Sequence, residues 1–131
     1  MAKWDMTTAE GREALERFLV KRIGYIYEDP KKPWEGWFIV QTLDGYREYL
    51  PDHVEPGWVF TPEGMVALKR WAAEKHGLCI SSEPPVSRFN APAEALVYDI
   101  VTGKEFVYEH TDDEPTSVAL ALARALEEME R

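Results

Sequence analysis

Residues 95–130, ALVYDIVTGKEFVYEHTDDEPTSVALALARALEEME, carry a strand pattern that runs directly into a helix pattern. Apolar and charged residues alternate in the first half, which is the period of strands with one buried and one wet face. The step Thr102-Gly103 predicts the turn of a hairpin. The predicted core-facing positions are Leu96, Tyr98, Ile100, Phe106 and Tyr108, and the predicted solvent-facing positions are Asp99, Glu105 and Glu109.

The second half of this stretch predicts an amphipathic helix. Asp112 or Asp113 is suited to cap the free N–H groups at its start, and Glu114 complements the positive end of the helix dipole. An apolar stripe follows at helical spacing, formed by Val118, Ala121, Leu122, Ala125, Leu126 and Met129. We therefore expect the acidic residues ahead of the stripe to serve the start of the helix.

Helix patterns also occupy residues 7–24 and 61–77. In the first, Thr7 and Glu10 have the capping-box spacing, in which each side chain satisfies an N–H group at the other residue. In the second, Thr61 is the predicted N-cap and is followed by a proline, which suits the first helical position. A glycine follows each pattern and predicts its end.

Strand patterns fill the intervals between these helices. The segment WFIVQTLDGYREYLP, residues 37–51, contains Asp44-Gly45, a strong signal for a two-residue hairpin turn. That turn pairs Gln41 with Glu48, and LCIS after the second helix predicts a short buried strand. The resulting order is helix, hairpin, helix, strand, hairpin, helix. This order predicts an α+β fold with helices packed on a mainly antiparallel sheet.

Composition limits the function classes. A chain of 131 residues with 45% hydrophobic residues predicts one domain, spanning residues 1–131, with a sizeable core. The net charge of -9 and the scattered basic residues disfavour nucleic-acid binding. Cys79 is the only cysteine, which excludes an intrachain disulfide and favours a cytoplasmic location. No apolar stretch has the length of a membrane span, so we expect no membrane association.

The order of elements and several residues resemble the phage ABA sandwich domain, a family of small bacteriophage and prophage proteins. The resemblance rests on the opening helix ALERFLVKRIGY, on Trp37, Asp44-Gly45 and Leu50-Pro51, on FTPEGMVALKRWAAEKHG, and on the Ala-rich closing helix HTDDEPTSVALALARAL. It implies a three-layer α/β/α sandwich and, for a phage-encoded protein, the host cytoplasm. The segment SSEPPVSRFNAPAE is longer than its family counterpart. The resemblance implies no catalytic residues and no cofactor.

A group of aromatic residues is the first candidate site. It comprises Trp34, Trp37, Tyr46, Tyr49 and Trp58, with Phe60 beside them. Tryptophan and tyrosine are enriched where proteins meet partners or stack planar ligands. The alternative is that these rings close the ends of a small core. Trp34 and Trp58 lie in Pro- and Gly-flanked segments, which favours partial exposure.

A group of acidic residues is the second candidate site. Asp99, Glu105, Glu109 and Asp112 form a metal site only if the last hairpin and the start of the last helix converge. They lack the ligand spacing of an EF-hand loop, and the three histidines lack zinc-ligand spacing. Cys79 lies in an apolar strand and is expected to be an inert core thiol. No nucleophile or nucleotide-binding motif occurs.

Three function classes follow from these features. The first is a non-enzymatic phage accessory protein that binds or inhibits a host or phage protein, because an acidic surface steers onto basic partners. The second is a small-ligand or nucleotide-binding protein with an aromatic pocket. The third is a metal-dependent enzyme that uses the acidic residues. Self-association is compatible with all three, since a hairpin edge is available for pairing.

Overall fold

The computed structural model describes residues 4–23 and 57–130 in full and, between them, the backbone pairing of four short strands. It is an α+β protein with three helices and a three-stranded antiparallel sheet. The helices are α1 (Ala9–Ile23), α2 (Pro62–His76) and α3 (Glu114–Met129). The strands are β1 (Ile26–Tyr27), β2 (Phe38–Thr42), β3 (Gly45–Tyr49), β4 (His53–Val54), β5 (Leu78–Glu83), β6 (Ala93–Asp99) and β7 (Glu105–Thr111). Trp58–Phe60 and Ser87–Phe89 form 3-10 turns.

Strands β5, β6 and β7 form the sheet in that order, each antiparallel to its neighbour. The β6–β7 hairpin has the predicted turn. Gly103 has φ +75°, a left-handed conformation that glycine adopts without strain. The Asp99 carboxylate accepts the N–H groups of Val101 and Thr102 at 2.8 and 2.9 Å, so this acid stabilises the turn.

The sheet packs one face against the helices. This is not the face that the sequence predicted to form the core. Ala93, Ala95 and Val97 of β6 are fully buried there, together with Leu78 of β5. We call this the covered face. The β6 residues on it are small because a helix packs directly onto them, and larger side chains there would hold the two elements apart.

The larger apolar residues of the hairpin lie on the other face, so the prediction that they form the core was wrong. Leu96 and Tyr98 are only half-buried, and Tyr108 is 56% exposed. Ile100 lies beyond the end of β6 and is also exposed. Phe106 packs against the core because a bulge opposite residues 97 and 98 places an extra residue in β7.

Helix α3 is the centre of the described structure. It packs against all three strands of the sheet and against α1, α2 and the 3-10 turn at Trp58–Phe60. Residues 116–123 are all buried, so α3 is covered on every side rather than along the predicted stripe. Met129, a predicted stripe residue, is 43% exposed. Asp113, one of the two predicted candidates, is the N-cap, and its Oδ1 accepts the N–H of Thr116 at 2.9 Å.

Helix α2 begins and ends as predicted. The Thr61 hydroxyl accepts the N–H of Gly64 at 3.1 Å, and Gly77 has φ +63° after the last turn. Gly64 is also required for packing, because a Cβ atom there would lie 2.0 Å from the carbonyl oxygen of Trp58. This close approach brings the 3-10 turn directly against the start of α2.

Helix α1 begins one residue later than predicted. Its N-cap is Thr8, whose hydroxyl accepts the N–H of Gly11 at 3.0 Å. Thr7 instead donates its N–H and hydroxyl to the Asp5 carboxylate, at 2.9 and 2.5 Å, so it belongs to the preceding turn. The predicted stop at Gly24 lies outside the described residues.

A buried carboxylate joins α1 to the segment before α2. Glu16 is 2% exposed, and its two oxygens accept the N–H groups of Gly57 and Val59 at 2.7 and 3.0 Å. Charge-assisted bonds of this kind offset the cost of burying the carboxylate. The helix pattern did not indicate this role, since Glu16 interrupts the apolar face.

The β2–β3 hairpin forms, but the predicted register was wrong by two residues. Gln41 pairs with Tyr46, and Ile39 pairs with Glu48. Gly45 pairs with Thr42 as a strand residue, so the connection moves one position towards the N-terminus and every cross-strand partner changes. Strands β1 and β4 pair in parallel, which the sequence pattern did not predict.

The α+β class and the antiparallel sheet are therefore confirmed at this level. The three-layer α/β/α sandwich and its element order stay predictions. Helices α1, α2 and α3 share one core with the covered face of the sheet, so the described residues supply a helix layer on that side only. Within the described parts of the chain, none of the helices combines the length and the apolar character needed to cross a bilayer.

Candidate functional site

The predicted aromatic site cannot be assembled from the described residues. Trp34 and Trp37 lie outside them, and for Tyr46 and Tyr49 only the strand pairing is described. Trp58 is half-buried at the start of its 3-10 turn and packs against the core. In its case the structure gives the ring a packing role. The aromatic ligand site as a whole stays a prediction.

Two further tryptophans that the sequence pattern did not single out belong to the packed interior. Trp4 is 4% exposed and meets Phe18 edge-on, with ring centroids 4.8 Å apart. Trp71 is half-buried and meets His76 in the same manner at 4.8 Å. Both contacts have the geometry that aromatic quadrupoles favour.

The acidic residues predicted as weak metal ligands do not converge. Asp99 and Glu105 lie at the turn end of the hairpin, whereas Asp112 follows the far end of β7. The seven-residue strand β7 separates these two ends, and at the rise per residue of an extended chain the distance between them is about 20 Å. The described residues contain no group of three His, Cys, Asp or Glu side chains that could hold a metal ion. The metal-enzyme hypothesis requires a convergence of acids that the described residues do not provide.

Several of these acids instead attach the sheet to α3. Glu109 accepts a 2.5 Å bond from Arg124, and its side chain is only 15% exposed. Glu114 accepts the Ser82 hydroxyl at 2.6 Å. Asp112, the remaining acid ahead of the helix, is exposed. Glu109 and Glu114 therefore contribute to the packing of α3 on the covered face.

The opposite side of the sheet, which we call the open face, is a candidate binding surface. Its residues are those that alternate with the covered ones, in cross-strand rows set by the register. One row is Ser81, Leu96 and Tyr108, and the next row is Glu83, Glu94 and His110. No helix among the described residues packs on this face. Its apolar rings and chains are therefore left half-buried or exposed.

A groove of about 290 Å³ lies at the acidic end of the open face. We call it the Glu83–Glu94 groove. The strands contribute Glu83, Glu94, Tyr108 and His110, and the connection between β5 and β6 contributes Pro84, Val86, Ala91 and Pro92. Prolines and strand residues form its walls, so little conformational freedom is left to lose when the groove is filled.

Electrostatics distinguish the Glu83–Glu94 groove from the rest of the surface. Glu83 and Glu94 are direct cross-strand partners, and like charges in that arrangement repel. The Tyr108 hydroxyl donates a 2.5 Å hydrogen bond to Glu94. That bond raises the pKa of Tyr108 above its ordinary value of 10.0, and the charges of Glu94 and Glu83 act in the same direction. The groove therefore combines negative potential with an exposed aromatic ring.

The segment beside the groove is held by backbone bonds. Val86 and Ala91 exchange N–H bonds of 2.9 and 3.0 Å, and the Ser87–Phe89 turn closes between them. Asn90 has the left-handed φ of +51° that short polar residues tolerate. Phe89 is 73% exposed at the tip of this turn. A large apolar ring presented in this way extends the candidate surface.

The sequence contains a signal for this groove. The segment 83–94 reads Glu-Pro-Pro at one end and Ala-Pro-Ala-Glu at the other, so each strand end carries a glutamate within two residues of a proline. A hairpin-like connection between β5 and β6 brings these two ends together. The length of the segment and its prolines concealed that pairing.

Comparison of the chain with protein-family models, with curated proteins and with solved structures finds no match.

Proposed function

We propose that this protein is a non-enzymatic protein-binding module whose partner docks on the open face of the β5–β6–β7 sheet. The observation that carries the proposal is the distribution of apolar residues between the two faces. Within the β6–β7 hairpin, the covered face holds Ala93, Ala95 and Val97, while the open face holds Leu96, Tyr98 and Tyr108. A fold that needed this hairpin only for its own core would bury the larger side chains.

The chemistry of the open face fits protein recognition. Tyrosine and other aromatic residues are enriched at protein interfaces because they bury a large area at a low cost in rotamer entropy. Tyr98 and Tyr108 meet this description, and Leu96 lies between their positions on β6 and β7. A contiguous patch of exposed apolar side chains on a folded domain often marks an interaction site.

Charge favours a basic partner. The chain has 24 acidic and 15 basic residues, and Glu83 and Glu94 lie at the end of the open face. Complementary charge raises association rates and excludes acidic competitors such as nucleic acids. The partner is therefore a protein with a basic patch, which the phage hypothesis would supply from the host or from the phage itself.

The finer parts of the sequence prediction belong to the same proposal. They are membership of the phage ABA sandwich family, a three-layer α/β/α arrangement and action in the host cytoplasm. The described helices occupy one side of the sheet, so in a three-layer arrangement the layer on the open face comes from outside the described residues or from the partner. Inhibition of the partner is one consequence of such docking.

Site-specific photo-cross-linking tests the proposal. A photoreactive phenylalanine replaces Leu96 on the open face in one variant and Val66 on α2 in the matched control. Val66 is 51% exposed, so the control residue is accessible but lies on another surface. We expect one discrete adduct with a cellular protein at position 96 and none at position 66.

Competition decides whether the adduct reports the open face. Unlabelled wild-type protein should abolish the adduct, whereas a folded Tyr98→Lys variant should compete much less well. Circular dichroism and the melting temperature establish that the variant is folded. Equal cross-linking at both positions, or equal competition by the variant, would contradict docking on the open face.

A further inference from the structure

The like-charged pair Glu83 and Glu94 opposes the stability of the sheet in which it lies. Direct cross-strand carboxylates destabilise an antiparallel pair. A lysine or arginine at either position would remove the repulsion. The chain therefore retains two negative charges at a position where they destabilise the folded sheet.

The surroundings of the pair are those of a cation-binding groove. Tyr108 stands beside Glu94, hydrogen-bonded through its hydroxyl, with its ring exposed by more than half. An aromatic face attracts a cation through its quadrupole, and nearby carboxylates add charge-assisted hydrogen bonds. Pro84 and Pro92 form apolar walls that suit the aliphatic part of a long side chain.

We infer that the Glu83–Glu94 groove receives one arginine side chain from the partner protein. The inference rests on the proposed function and specifies its ligand chemistry. At about 290 Å³ the groove is at the lower limit of small-molecule pockets, which span roughly 300–1,000 Å³, so it suits a single side chain. Arginine is favoured over lysine because its planar guanidinium stacks on a tyrosine ring while forking onto carboxylates.

Two other occupants fit less well. A bare metal ion would need three or more converging ligand atoms, and the described residues provide no such group. A second copy of this chain could offer Arg88 from the neighbouring turn. Each copy, however, carries a net charge of -9, which opposes self-association. A basic segment of a different protein meets no such repulsion.

An NMR titration with matched tripeptides tests the inference. The probes are acetyl-Gly-Arg-Gly-amide and the same peptide with citrulline, which keeps the shape of arginine but removes its charge. We expect the arginine peptide to shift backbone signals of residues 83–94 and 107–110 selectively. The citrulline peptide should bind at least about 10-fold more weakly, since charge-assisted bonds are roughly twice as strong as neutral ones.

Variants locate the charge that is responsible. Glu94→Gln should weaken arginine binding about 10-fold, and the double variant Glu83→Gln/Glu94→Gln should abolish it. Glu105→Gln is the matched control, because it changes the net charge equally at the other end of the sheet, where Glu105 is exposed. We expect it to leave binding within a factor of two.

The contradicting outcomes are specific. Equal binding of the citrulline peptide, equal binding of a lysine peptide, or no binding by the wild-type protein would each overturn the inference. So would sedimentation that shows self-association lost on Arg88→Gln, because a second copy would then be the occupant.

If the cross-link at position 96 survives in the double glutamine variant, the inference fails while docking on the open face stands. If the variant with the photoreactive residue at position 96 and both glutamates intact forms no cross-link, the proposed function itself fails.

Discussion

The two faces of the β6–β7 hairpin differ in the size of their apolar side chains and in what they contact. On the covered face, Ala93, Ala95 and Val97 lie under α3 and are fully buried. On the open face, Leu96 and Tyr108 stand in the same row and retain solvent exposure. In the β6–β7 hairpin, the larger apolar residues thus lie on the face that no described helix covers. This difference supports the proposal that the open face serves binding.

The polar residues follow the same division. On the covered side, Glu109 of β7 pairs with Arg124 of α3, and Glu114 of α3 accepts the hydroxyl of Ser82 in β5. On the open face, Glu94 and Glu83 face each other across two strands. One set of charges is neutralised within the chain, and the other is left to attract a charge from outside it.

The largest expected effect comes from removing a leucine on each side. Leu122 is fully buried in α3, so Leu122→Ala should lower the free energy of unfolding by about 2–5 kcal/mol through lost burial and a cavity. Leu96→Ala on the open face should cost less than about 1 kcal/mol, because the half-exposed side chain leaves no closed cavity. Urea unfolding monitored by circular dichroism measures both. Similar losses would mean that the open face is packed as a core.

Adding volume to the covered face should give the next largest effect. Ala95 is fully buried against the helix layer, so Ala95→Leu should destabilise the fold by about 1–3 kcal/mol. The neighbouring substitution Ser81→Leu adds similar bulk on the open face and should change stability by less than about 0.5 kcal/mol. Melting temperatures compare the two. A neutral Ala95→Leu would show that the sheet and α3 are not in close contact.

Neutralising a glutamate should have opposite consequences on the two faces. Glu109→Gln breaks the partly buried ion pair with Arg124 and should cost about 1 kcal/mol. Glu94→Gln relieves repulsion from Glu83 and should be neutral or stabilising by a few tenths of a kcal/mol. Chemical denaturation of the two variants at low salt measures the difference. Equal destabilisation would contradict the assignment of these carboxylates to different roles.

The smallest effect is spectroscopic. The hydrogen bond to Glu94 raises the pKa of Tyr108, so Glu94→Gln should lower that pKa towards 10.0. A tyrosine pKa raised by folding stabilises the folded state below pH 10 and loses that contribution as the pH rises through the folded-state pKa. Ultraviolet difference titration resolves the change, with Glu105→Gln as the control. An unchanged titration would show that the bond is absent in solution.

Much of the fold was predictable from local chemistry. Helix starts and stops depend on single residues, which is why Thr61, Gly77 and Asp113 were identified correctly. The hairpin turn at Gly103 follows the same logic. Local patterns also predicted the α+β class, since alternation and helical spacing are set by the backbone.

The face of the sheet was not predictable in the same way. Alternation shows that β6 has two different faces, but it does not show which one a helix will cover. The larger residues Leu96 and Tyr98 indicated one face, and α3 covers the other because alanines allow close approach. The Glu83–Glu94 groove was missed for a related reason. Its two glutamates are 11 positions apart, and only the β5–β6 register brings them together.

One measurement tests most directly whether the open face is open. Methyl groups of leucine and valine can be labelled, and a soluble gadolinium chelate then accelerates relaxation of those near solvent. Leu96 and Val97 are adjacent on β6, and the second is fully buried. The account predicts that the Leu96 methyl groups relax several-fold faster than those of Val97. Equal protection of both residues would contradict it, because another part of the chain would then cover the face assigned to the partner.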